Sequence, residues 1–225
     1  MIVVVGSRHD KIALDLVAMW PGAALCAAED LVQPGWAWRN SQLQPRTWVI
    51  NGKFVRDDRV SGVFLRRSAV YGEELATIHP ADRAFLAAEA HAFLTFVLAT
   101  TSARVCNPVV DGAFGEEALR PERWMALAPE VGISIHPLRL TSERRRRSRP
   151  RPACWAEVVG DKVFGNAPSR MRTGAVYMAA AMRLVWGAFA FDARQRLITI
   201  TSARRPSKAA ALALGRLLGE RTKRK

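Results

Sequence analysis

Four consecutive β-branched residues, Ile2-Val3-Val4-Val5, end at Gly6, and together with the next twenty residues they confine the chain to a narrow set of folds. β-Branched side chains suit a pleated, buried surface, so this run reads as an interior strand. Lys11–Trp20 then places Ile12, Leu14, Leu16, Val17 and Trp20 at helical spacing, and Pro21 stops it. Ala23–Ala27 reads as a second strand. Strand, helix and strand in so short a span make a βαβ unit, so the sheet is parallel and the class is α/β. The loop Gly6-Ser7-Arg8-His9-Asp10 matches neither GxGxxG nor GxxxxGK[ST], which removes a dinucleotide fingerprint and a P-loop.

The rest of the chain keeps to this grammar. Thr47–Val55 reads as a hairpin around Asn51-Gly52, the pair that most readily takes the two positive φ values of a type I′ turn. Gly62–Leu65 is a buried strand running into Arg66-Arg67-Ser68. Pro80–Thr100 is the longest helix, Arg104–Asn107 a strand stopped by Pro108, and Pro121–Val131 a helix with proline at its favoured first position. Ile133–His136 reads as a strand. Past an arginine-rich stretch come a hairpin (Trp155–Val159 with Lys162–Phe164), a helix (Ser169–Leu184), a second hairpin (Trp186–Phe191 with Arg196–Thr201) and a closing helix (Pro206–Leu218). The expected organisation is an α/β domain over residues 1–140, an arginine-rich loop over 141–152, and a small α+β region over 153–225.

Composition narrows the function classes. The 225 residues, 49% hydrophobic and 24% charged, suffice to bury the core of one domain or two small ones. The longest apolar stretches, Ala84–Thr101 and Ala175–Phe191, are interrupted by Glu89, His91 and Arg183, so no membrane association is expected. Cys26, Cys106 and Cys154 are odd in number and lie in apolar runs, which fits buried thiols in a reducing compartment and a cytoplasmic location. The net charge is +14, and ten of those charges sit in two places, Arg144–Arg151 and Arg216–Lys225. Such runs stay solvated, and they can hold nucleic acid non-specifically or an acidic partner.

Candidate site residues lie at strand ends. Arg66, Arg67 and Tyr71 follow one strand, Asn107 ends another, and Arg120 and Trp124 open the next helix. Open α/β sheets bind ligands outside the carboxyl ends of their strands. Two arginines there can clamp a carboxylate or phosphate, and an indole can stack on a flat group. Because strand neighbours point to opposite faces, one arginine is expected at a ligand and the other in a structural pair, with Asp82 or Glu89 as its acid. His9, His79, His91 and His136 are scattered, so no metal is expected. No nucleophile elbow and no carboxylate pair stands out, so no catalytic residue is assigned.

Five segments in order, Val63-Phe-Leu-Arg-Arg-Ser-Ala-Val-Tyr71, Pro80-Ala-Asp-Arg83, Ala87-Ala-Glu-Ala-His-Ala-Phe93, Val105-Cys-Asn-Pro108 and Arg120-Pro-Glu-Arg-Trp124, resemble the pre-ATP-grasp domain of ATP-grasp ligases, above all those associated with ribosomal peptide maturation. Glu157–Phe164, Phe189–Asp192 and Leu197–Pro206 are similar to later strand pairs of that family. The resemblance implies a pre-ATP-grasp-like domain followed by a truncated ATP-grasp remnant. Where the family carries Glu-x-Asn before a proline to hold magnesium, this chain reads Thr201-Ser202-Ala203, and of the acids only Asp192 is left. Magnesium needs charged oxygen ligands. The implied protein is therefore a degenerate, ligase-like pseudoenzyme with no cofactor. It would recognise a peptide or small acidic ligand, or would partner a complete ATP-grasp ligase. A nucleic-acid-binding protein and a ligase subunit active only with a partner are the alternatives.

Overall fold

The computed structural model describes residues 1–38, 45–107, 109, 119–137 and 150–220. The chain forms two compact units, one comprising residues up to 118 together with those from 211 onward, the other residues 119–210.

The first unit opens with β1 (Ile2–Val5), α1 (Lys11–Met19), β2 (Ala23–Cys26), α2 (Ala28–Leu31) and the hairpin β3 (Thr47–Ile50)–β4 (Lys53–Arg56). β5 (Gly62–Leu65), α3 (Arg83–Thr100) and β6 (Arg104–Cys106) come next. Its sheet has the order β2-β1-β5-β6, and every pairing is parallel, as the opening βαβ unit requires. Alternation divides the strand side chains between two faces. Val3, Val5, Val63 and Leu65 join Leu94 and Val97 of α3 in one core. On the other face Phe64 meets the Trp20 indole edge-on at 5.5 Å. Asn51 and Gly52 take φ of 50° and 70°, the turn expected from their identity. α3 starts at Arg83 rather than at Pro80, and the Arg83 guanidinium donates to the carbonyls of Ile78 and Ala76 just before the helix.

The second unit contains α4 (Pro121–Glu130), β7 (Cys154–Val159), β8 (Lys162–Phe164), α5 (Ser169–Ala181), β9 (Trp186–Phe191) and β10 (Leu197–Thr201). Its sheet is antiparallel, in the order β10-β9-β7-β8. Ala156, Val158, Phe189, Phe191 and Ile200 pack with Trp124 and Ala128 of α4 and with Met171, Ala175 and Met178 of α5.

The division of contacts differs from the expected domains. α4 and Ile133 belong to the second core rather than to a domain ending at residue 140, and the expected strand Ile133–His136 shrinks to one bridge between Ile135 and Leu197. The last helix, α6 (Lys208–Gly219), returns to the first unit from Ala211 onward. There the Trp20 indole donates to Ala211 O at 2.8 Å, and Arg104 to Leu217 O at 2.9 Å. Most of the arginine run, residues 144–149, lies outside the described residues, as do the tail residues 221–225.

Cys26 and Cys106 are buried and Cys154 half-buried, all as free thiols, and burial pushes the thiols up from their ordinary pKa. Among the described residues one helix, Arg83–Thr100, is long and apolar enough to cross a membrane by length and composition alone; one face of it packs in the first core.

Candidate functional site

At the carboxyl ends of the parallel strands, three arginines are held by the chain's own acids. Arg67 meets Glu74 through both terminal nitrogens, at 2.9 and 3.1 Å, and also donates to Gly6 O at 2.8 Å. Its side chain is 5% exposed. Arg66 Nε donates to Asp10 at 3.0 Å, and Asp10 is the N-cap of α1, accepting from the backbone of Ile12 and Ala13. Arg8 lies against Glu29 and Asp30. The expectation of one ligand arginine and one structural arginine therefore needs correction: both are paired internally, and the acids are Asp10 and Glu74 rather than Asp82 or Glu89. Asn107 is buried here, while Tyr71 is exposed and offers its backbone N–H to Glu74.

The other two candidates lie in the second unit. Arg120 is exposed at the start of α4. Trp124 is 1% exposed and fills the core against α5, so its ring is not available to stack on a ligand. An indole on the inward face of an amphipathic helix gains more from full burial than from a half-open pocket.

The segment that the resemblance sets against the family's magnesium-holding residues, Thr201-Ser202-Ala203, has a definite geometry. Thr201 is paired with Ala188, and Ala188 with Glu157, so one row runs across β10, β9 and β7 with its side chains on one face. Glu157 is the acid in that row, 2% exposed, and the chain already binds it: Arg204 Nε lies 3.4 Å from Oε1, and the Ser207 N–H donates to Oε2 at 3.1 Å. Asp192 lies four residues beyond Ala188, roughly 13 Å along an extended chain. It accepts from the backbones of Arg194 and Arg196 and from Arg196 Nε, with His136 Nδ1 at 2.9 Å. Burial pushes the Asp192 carboxyl up, but the bonds from His136, Arg196 and Arg194 outweigh it and hold it well below the ordinary carboxylate range. Asp192 is thus the lock of a turn rather than a surviving metal ligand. These residues do not fit a magnesium ion, and among the described residues no three His, Cys, Asp or Glu are grouped to hold one.

The second unit also carries an open groove between β8 and α5, lined by Val163, Ser169, Arg172, Thr173, Val176 and Tyr177. β8 is an edge strand. Arg172 donates from Nη2 to Val163 O at 3.1 Å, while its Nε is buried with no hydrogen-bond partner among the described residues. A buried donor without an acceptor is costly. Tyr177 is 63% exposed on the same helix. Sequence alone does not point to this groove, since one arginine among many carries no signal until the edge strand is beside it.

Neither a family model nor a curated protein matches this sequence. Solved structures do. The macrocyclase MdnC from Microcystis aeruginosa MRC, bound with precursor peptide MdnA, aligns with a TM-score of 0.69 at 12% identity over 97% of this chain and 99% of its own. A RiPP-associated ATP-grasp ligase from Chryseobacterium gregarium, in complex with ADP and a leader and core peptide, gives 0.68 at 10% identity over 97% and 96%. The ATP-grasp ligase PsnB with a minimal precursor gives 0.61 at 12% identity over 95% and 96%. At such identities the likeness is one of fold, and this protein has an ATP-grasp ligase-like fold of the kind found in ligases of ribosomal peptide maturation.

Proposed function

We propose that this protein is a recognition or accessory protein built on the ATP-grasp ligase-like fold, which binds a peptide and does not turn over nucleotide by itself. The observation that carries the reading is the row Thr201–Ala188–Glu157, where two members offer no carboxylate and the third is held by Arg204. By the resemblance to ATP-grasp ligases, Thr201 stands where that family carries a magnesium-holding acid, and the acid across the sheet from it, Glu157, is already neutralised by a guanidinium. Peptide binding is supported by the solved relatives that hold precursor peptides. It is supported also by the β8–α5 groove, where Val163 and Val176 offer apolar contact, Tyr177 an exposed ring, and Arg172 a guanidinium charge. Such a groove suits a segment with one acidic side chain beside an apolar one.

The test is fluorescence anisotropy with labelled peptides that place a single Asp or Glu beside Ile, Leu or Phe, with and without Arg172→Gln. Saturable binding that weakens at least tenfold in the variant, about 1.4 kcal/mol, is the expected result. Binding that ignores both the peptide's acid and Arg172 would overturn the assignment of the groove.

A further inference from the structure

Arg204 is held from two directions and still open on a third. Its Nε faces the buried Glu157 at 3.4 Å, and its guanidinium carbon lies 4.0 Å from the centroid of the Trp155 ring. Glu157 is itself fixed by the Ser207 backbone N–H. The Arg204 side chain is nevertheless 39% exposed, and its two terminal nitrogens have no partner among the described residues. The Trp155 ring and the Glu157 carboxylate restrain the guanidinium from two sides. The long arginine side chain has therefore lost most of its rotamer freedom before any ligand arrives, which lowers the cost of binding. Arg205 and Lys208, near it in sequence, are both exposed and add to the positive charge of this segment.

We propose that the Arg204 fork, oriented by Trp155 and Glu157, is a binding site for an oxyanion that presents two oxygens in one plane, as a carboxylate or a phosphate group does. Glu157 and Trp155 act as positioning residues, and Nη1 and Nη2 receive the anion. The guanidinium is a fixed cation, so the site needs no divalent ion. It does not depend on the peptide groove, which lies at β8 and α5.

The experiment tracks the Arg204 guanidinium signals by nuclear magnetic resonance while inorganic phosphate or acetate is titrated into the full chain at constant ionic strength with a chelator present. A saturating shift with a midpoint of about 1–10 mM, ordinary for one charge-assisted fork, is expected. Saturation by phosphate, by acetate or by both supports the site and identifies which oxyanion it prefers. Arg204→Lys keeps the charge and the partner Glu157 but loses the fork, so phosphate or acetate affinity, read by calorimetry, should fall at least fivefold. Lys208→Gln should change it less than twofold. Shifts that stay linear with both anions, or equal affinity in Arg204→Lys, would overturn the proposal. ATP–magnesium binding elsewhere in the chain would instead count against the functional reading and leave this site standing.

Discussion

Thr201 and Asp192 lie at opposite ends of the β9–β10 hairpin: Thr201 faces Ala188, whereas Asp192 comes directly after Phe191, whose partner is Leu197. A magnesium ion gathers its ligands at about 2.0–2.1 Å, so oxygens separated by the length of a strand cannot share one. Calorimetry with millimolar ATP and magnesium should accordingly show no saturable heat. A dissociation constant below about 100 μM, roughly 5.5 kcal/mol of binding, would contradict this.

Asp192 also makes acid stability measurable. Its folded pKa is depressed, so its contribution is fully present above the unfolded carboxylate value of about 3.9 and is lost as pH falls toward the folded one. Asp192→Asn should cost about 1–3 kcal/mol at pH 6, because it removes the charge-assisted bonds from Arg196 and His136. The gap between the two proteins, measured by urea unfolding, should narrow between about pH 4 and pH 2. A gap that stays constant over that interval would show that the charge of Asp192 is not what holds the turn.

The Arg67–Glu74 pair is predicted to be structural. Arg67→Ala leaves Glu74, whose side chain is 20% exposed, without its guanidinium and empties a site that is 5% exposed, so it should cost about 2–4 kcal/mol. Glu74→Gln with Arg67→Met should cost less than the sum of the single changes, since neither is left unpaired. A loss below about 1 kcal/mol for Arg67→Ala would return that arginine to the pool of ligand candidates.

Gly62 tests the return of the last helix. A Cβ there would sit 2.5 Å from Leu218 O, a backbone atom that cannot swing aside. Gly62→Ala should destabilise the chain by about 1–3 kcal/mol through overpacking. A neutral result in thermal and urea unfolding would mean that α6 yields easily against β5.

Much of the fold is set by local rules that the sequence carries on its face. Ile2–Val5 and Gly62–Leu65 are strands because runs of β-branched and apolar residues have little alternative, and Asn51-Gly52 turns because both residues tolerate positive φ. The order of the five family-like segments was equally legible, and the structural likeness to ATP-grasp ligases agrees with it. What sequence spacing does not contain is the identity of long-range partners. That Arg66 is neutralised by the N-cap of α1, 56 residues earlier, is decided only when β1 and β5 pair in parallel. That Trp124 is core rather than platform is decided by α5 closing over α4. Asp192 read as a remnant acid because its neighbours in sequence resemble a metal-binding hairpin, yet the register puts it at the turn, where His136 and Arg196 converge on it. In sequence, Glu157 is one carboxylate in an apolar strand and carries no signal of its own. It became the centre of a site only when cross-strand pairing set it in line with Ala188 and Thr201 and brought Arg204 back over Trp155. The alternation of side chains is local physics, but the register that decides which of them meet is a property of the assembled sheet.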